Sequence, residues 1–138
     1  MAKRRVVITG LGVVAPNGIG KDEFWQANLK GVSGVDAITS FDVSQLGSQI
    51  AGQVKGLDPL LYIPQEVAKR TDRFVHLGLS AAKMAIDDSR LALDDEQRSR
   101  TGVVIGSGLG GVLFHEEQIL HGYDKGAHRL NPLGVART

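Results

Sequence analysis

The sequence has no cysteine. Within these residues that excludes disulfides, thiolate metal sites and a cysteine nucleophile. It has almost no net charge, +1 over 138 residues, so no global field draws it to nucleic acid or to an anionic membrane. It also has no apolar run near the roughly 18 residues that span a bilayer. The basic start Lys3-Arg4-Arg5 leads into Val6–Val14, which Thr9, Gly10 and Gly12 interrupt. That stretch reads as a first strand and not as a secretory leader, and a cytoplasmic protein is the default expectation. No internal repeat is present.

What is abundant is glycine. Its 18 residues are about twice the usual share, and they gather at the ends of apolar runs, where strand-to-helix turns form. With 42% apolar and 22% charged residues, the composition is that of a globular chain of about one domain.

Val6–Val14 is β-branched and predicts a buried strand bending at its glycines. Pro16-Asn17-Gly18 is turn chemistry. A helix is predicted over Lys21–Lys30, with Phe24, Trp25 and Leu29 on one side and Gly31 as its stop. Between Val32 and Pro64 the pattern is weak, with a short edge strand at Ile50–Val54. Gln65–Leu91 predicts one long helix with two apolar faces, Phe74, Leu77, Ala81, Met84 and Ala85 on one and Val75, Leu79, Ala82 and Ile86 on the other. Both faces should therefore be covered, and Gly78 within it predicts close packing against another helix. Asp94–Gln97 reads as a solvated turn, Val103–Ile105 as a strand, Val112–His121 as a helix and Tyr123–Arg129 as loop. The apolar end, through Leu133 and Gly134 to Thr138, carries no stop signal and reads as cut in mid-element. The order of elements predicts an α/β layered fold with a mixed sheet, and too few strands to finish it.

The chain is organised around Thr101–Glu117, where a β-branched run meets Gly106-Ser107-Gly108-Leu109-Gly110-Gly111 and then a helix. This turn satisfies G-x-G-x-x-G, which would place a pyrophosphate on the helix N-terminus. However, Asp124 falls in a loop and no second strand closes the βαβ unit. A glycine corner passing close to another backbone is the plainer reading. Ser107 is out of frame for a nucleophile elbow. His115 and His121 are about 600° apart on a helix, and none of the four histidines makes a metal-binding pair. No metal site is expected. Lys69, Arg70 and Arg73 form a basic cluster that could dock an acidic or phosphate-bearing partner, although such a cluster is more often a solvated helix face.

Nine segments in register, spread over the whole chain, are similar to one family. They include Val6–Gly18, Phe24-Trp25, Gly31–Val35, Phe41-Asp42, Ile50–Gly52, Lys69–Phe74, Ala81-Ala82, Thr101–Gly111 and Asn131-Pro132. The chain resembles the elongating β-ketoacyl-[acyl-carrier-protein] synthases, closest to synthase II, over about the first third of a full synthase. The resemblance implies a thiolase-like fold with a mixed five-stranded sheet, of which residues 1–138 are an incomplete N-terminal part. It implies a homodimer in which an acyl group is held on a Cys and condensed with malonyl-carrier protein, with loss of carbon dioxide. No cofactor is implied, and no nucleic acid or membrane partner. The family's Cys, two His and Lys match nothing here, so no catalytic residue is assigned and the piece alone is expected to be inactive and unstable.

Supporting roles do carry over by position. Gly108 and Leu109 match the wall of the acyl pocket. Leu133 and Gly134 match a place where aromatics often reach across the dimer toward the partner's pocket. Lys69 and Arg70, with Arg73 beside them, match residues that contact acyl carrier protein. Two alternatives stand beside this one, a non-catalytic partner subunit resembling a chain-length factor and a nucleotide-binding module using Gly106–Gly111.

Overall fold

The structure is a computed structural model that describes residues 4–126, 128, 130 and 131. Leu133 and Gly134 lie outside the described residues. The chain divides into two compact units, residues 1–58 with 80–91 and residues 59–79 with 92–138.

In the first unit, β1 (Val14–Ala15) and β2 (Gly18–Ile19) form an antiparallel hairpin, with Val14 opposite Ile19 and Ala15 opposite Gly18. The Pro16-Asn17 pair makes the turn, as the sequence predicts. Helix α1 (Lys21–Leu29) follows, and Gly31 stops it at φ 66°. Strands β3 (Val35–Ala37) and β4 (Ile50–Gly52) pair antiparallel, Val35 facing Gly52. The β4 strand was legible in the sequence and β3 was not.

The predicted first strand is largely absent. Only Val14 of Val6–Val14 enters a ladder, and Val6 is 93% exposed. A β-branched run becomes a strand when a neighbour offers it a series of N–H and C=O groups, and among the described residues the only backbone–backbone bond to Val6–Val13 is the Gly20 N–H donating to the Val13 carbonyl at 2.8 Å. Instead, Gly10-Leu11-Gly12 lies directly on helix α3 (Arg73–Ser89). A Cβ built at Gly12 would clash with the Ala81 carbonyl and come within 2.6 Å of the Ala85 nitrogen. One built at Gly10 would clash with the Ala85 carbonyl and come within 2.6 Å of the Ser89 nitrogen. Glycine is required there because backbone meets backbone.

Asp88 fixes the same contact. Its carboxylate accepts the Leu11 N–H at 3.0 Å and a hydrogen bond from the Lys21 ammonium, joining the first run, α1 and the end of α3. These bonds, Lys21 first and Leu11 second, hold the Asp88 carboxyl below its ordinary 3.8, while the bond to Asp88 raises Lys21 above 10.5. A lowered carboxyl stabilises the fold fully above its unfolded value, and the contribution fades as pH falls through the folded value. The complete protein is therefore expected to lose thermal stability below about pH 4 more steeply than its Asp88→Asn variant. Parallel melting curves between pH 5 and pH 3, as melting temperature against pH, would contradict this.

The second unit opens with a 3-10 turn at Pro59–Leu61, followed by α2 (Gln65–Arg70). The predicted long helix is broken here into α2 and α3. Thr71 is extended at φ −122°, ψ 156°, and its hydroxyl caps the Val67 carbonyl at 2.7 Å. The Asp72 carbonyl then starts α3 by accepting from Val75 at 3.0 Å. Thr-Asp is a helix-start signal that the continuous apolar periodicity masks.

Cover on both sides of α3 is not observed either. Ala82 and Ile86 are exposed, and a Cβ at Gly78 would meet nothing within 4 Å. The solvated turn is in fact a short helix, α4 (Asp95–Ser99), with a full capping box between Asp94 and Gln97. The predicted Val103–Ile105 strand pairs with no described residue, and Val104 is 98% exposed. Helix α5 (Val112–Lys125) runs past the predicted end at His121, through Tyr123 to Gly126.

Among the described residues the result is a set of α and β elements with two two-stranded antiparallel pairs, not one mixed sheet. Among the described residues the buried apolar side chains are Leu57 in the first unit and Ile63 and Phe114 in the second.

Candidate functional site

The chemistry-bearing features converge in the second unit. The turn Gly106–Gly111 leads into α5, with Gly111 as its N-cap and Gly110 at φ 61°. Ser107 has a structural part in this turn. Its Oγ accepts the Gly110 N–H at 3.0 Å and closes the turn on itself. Gly106 and Gly108 have open space where a Cβ would stand, so the close backbone approach expected of this corner is not made by the described residues.

Leu109, at the tip, is 83% exposed. Beside it lies an open hollow of about 430 Å³ lined by Leu109, Val112, His115, Glu116, Ile119 and Leu120. Those helical positions recur every three or four residues and so share one face of α5. The lining is mostly aliphatic, suited to a hydrocarbon and ill suited to a phosphate. A dinucleotide site needs strands on both sides of the turn, and among the described residues neither Val103–Ile105 nor any segment after α5 is a strand.

Lys69 and Arg70 occupy the last turn of α2, both exposed. Cations there suit the helix dipole, which is the local reason they are tolerated. Neither makes an ion pair among the described residues. Arg73 is half-buried at the start of α3. Just past this cluster, His76 meets the Ala68 carbonyl through Nε2 at 3.0 Å and so spends its ring on the end of α2. No described His, Asp or Glu joins a cluster able to hold a metal, and no described helix is long and apolar enough to cross a membrane.

Sequence reasoning missed Asp72. Its carboxylate accepts the Phe114 N–H at 3.2 Å, across 42 residues. It also accepts the Arg73 N–H. Asp72 sits within the basic cluster in the sequence, and the contact ties that cluster to the first turn of α5. A Thr-Asp pair inside an apolar helix pattern was the available signal. An open hollow of about 220 Å³ lies at this junction, lined by Thr71, Asp72, Arg73, Leu113, Phe114 and Glu117.

A family model described as "Beta-ketoacyl synthase, N-terminal domain" matches residues 3–136. A 3-oxoacyl-[acyl-carrier-protein] synthase 2 of Coxiella burnetii is 42% identical over 135 residues, covering 98% of this chain and 33% of that protein. One of the same description from Vibrio cholerae is 38% identical over 138 residues, covering 100% and 33%. Among solved structures, "The ishigamide ketosynthase/chain length factor" superposes with a TM-score of 0.82 at 27% identity, covering 99% of this chain and 34% of that one. The chain therefore spans about a third of the length of the relatives it matches.

Proposed function

Because the chain belongs to the β-ketoacyl synthase N-terminal domain family, we propose that it is the first third of a 3-oxoacyl-[acyl-carrier-protein] synthase that elongates acyl chains. The observation that carries this reading is similarity along the full chain to proteins of that description, 37% to 42% identical. In this reading the complete protein is a cytoplasmic homodimer. It condenses malonyl-carrier protein with an enzyme-held acyl group, using Cys, His and Lys residues beyond Thr138, and residues 1–138 are one part of a thiolase-like domain whose five-stranded sheet the remaining chain completes. The unpaired runs at Val6–Val13 and Val103–Ile105 support this, since they carry strand composition without a ladder. Nucleic acid and membrane play no part, and no cofactor is required.

The parts in hand have two roles. Lys69 and Arg70, exposed and without ion pairs among the described residues, steer and orient an acidic acyl carrier protein, with Arg73 beside them. Leu109 and Gly108 form one wall of the acyl pocket, supported by the aliphatic face of α5. Leu133 and Gly134 would leave the partner's pocket open at its far side, since neither is bulky.

The test is on the complete protein with acyl-carrier and malonyl-carrier substrates. The double variant Lys69→Glu with Arg70→Glu is expected to raise KM for the carrier-borne substrate about tenfold, with kcat within about twofold and a flatter salt dependence. An unchanged KM would remove the docking role. A second reading is favoured by the structural neighbour that joins a ketosynthase to a chain length factor. A complete protein that transfers no acyl group by itself, but restores activity to a ketosynthase, would make this chain the pocket-shaping partner.

A further inference from the structure

Helix α5 begins in an awkward way. Its first turn presents backbone N–H groups that need acceptors, and its N-cap Gly111 has no side chain to offer them. Asp72 supplies the acceptor from a distant point of the sequence. One carboxylate oxygen takes the Phe114 N–H, the third residue of the helix, at 3.2 Å. That is the donor a local Ser or Asp at the N-cap would bind. The other oxygen takes the Arg73 N–H, and the Asp72 carbonyl accepts from Val75 at 3.0 Å and His76 at 3.3 Å. One residue thus starts two helices, its own α3 and the α5 that follows the glycine turn.

The position matters because the first half of the turn is open. Ser107 closes the turn internally, while a Cβ at Gly106 or Gly108 would meet nothing within 4 Å. Phe114, by contrast, is buried, so its amide is a fixed point three residues beyond the turn. Asp72 lies between Arg70 and Arg73 in the sequence.

We propose that Asp72 is a specificity-positioning residue. By capping α5 at Phe114 it fixes the glycine turn and so the place of Leu109, and it links the carrier-docking cluster to the pocket wall. The claim rests on the reading above for what the wall does, but the capping itself does not depend on that reading.

The experiment uses the complete protein as wild type, Asp72→Ala and Asp72→Asn. Amide hydrogen exchange is followed over residues 106–114, with α1 as the internal reference. Acyl transfer is measured with carrier-borne short and long acyl chains. Asp72→Ala is expected to speed exchange over 106–114 about fivefold while α1 is unchanged. It should alter the long-to-short ratio of kcat/KM about fivefold, with carrier KM within twofold. Asp72→Asn keeps one oxygen acceptor of the same reach for the Phe114 N–H but gives up the bond to the Arg73 N–H, so it should bring both the exchange and the ratio at least halfway back to wild type, a rescue that also guards against a misfolded Ala variant.

Removal of a negative charge beside two arginines, with no positioning role, predicts something else. Both variants would then lower carrier KM alike and leave the ratio and the exchange untouched, and that result overturns the proposal. If exchange responds as expected but no form of the protein, wild type included, transfers acyl groups, the cap stands and the ketosynthase reading falls.

Discussion

Leu109→Phe in the complete protein is expected to lower kcat/KM for long acyl chains about 100-fold while changing it for short chains by no more than about threefold. Leu109 sits at the tip of the turn with 83% of its surface exposed, so the larger ring has room among the described residues and should leave their fold intact. Its effect is confined to whatever the aliphatic face of α5 encloses. If that is a pocket for a hydrocarbon, an aromatic ring occupies space that the distal methylenes need, and crowding a packed apolar site costs about 1–3 kcal/mol. A short chain ends before the ring and loses little. Competition between short and long acyl donors in one reaction reads the ratio directly. Equal loss on both, or none, would place Leu109 outside the pocket.

Gly12→Val is expected to abolish recovery of folded, complete protein. The glycine approaches the backbone of α3 so closely that a single Cβ would stand within 2.6 Å of the Ala85 nitrogen and clash with the Ala81 carbonyl. Backbone cannot move aside as the end of a flexible side chain can. Either α3 shifts or the Gly10–Gly12 segment lifts away, and the second course also breaks the Leu11 bond to Asp88. The loss exceeds the roughly 1–3 kcal/mol of ordinary overpacking and takes a large part of the 5–15 kcal/mol that typically holds a domain together. Gly47→Val, where a Cβ would meet nothing within 4 Å, is the control and should yield normal amounts of soluble protein. Comparable yields of the two variants would show that the packing of Gly12 on α3 is not required.

Helix ends were legible where a single Gly or Pro, or a switch in composition, marks them. Gly31 ends α1 because the stop is written in one residue, and the start of α5 was visible in the switch from glycines to an amphipathic run. The break at Thr71-Asp72 was obscured because apolar residues keep helical spacing through it, whereas capping is decided by two polar side chains. The capping box at Asp94 and Gln97 was read as a solvated turn because its helix is only five residues long. The strands were less legible. Val6–Val14 and Val103–Ile105 have the composition of strands, yet composition states a preference and a ladder needs a partner. For the candidate site, the basic cluster and Leu109 were visible as residues. The link between the cluster and the turn was not, since Asp72 and Phe114 are 42 residues apart.

Read alone, the sequence establishes the family, the absence of a cysteine nucleophile from these residues, the helix ends marked by Pro64 and Gly31, and the two apolar runs that are suited to a sheet. Which glycines are needed for close contact is visible in the folded chain alone. They include Gly10 and Gly12, against α3, Gly18, against the first turn of α1, and Gly34, against the turn at Pro16 and Asn17, but not Gly78, Gly106 or Gly108. The folded chain alone shows that Asp88 gathers three segments and that Asp72 starts two helices. The physical reason is one of range. Propensity, turn chemistry and capping act over a few residues and are written where they act, whereas a backbone contact or a shared carboxylate depends on which distant segment arrives there.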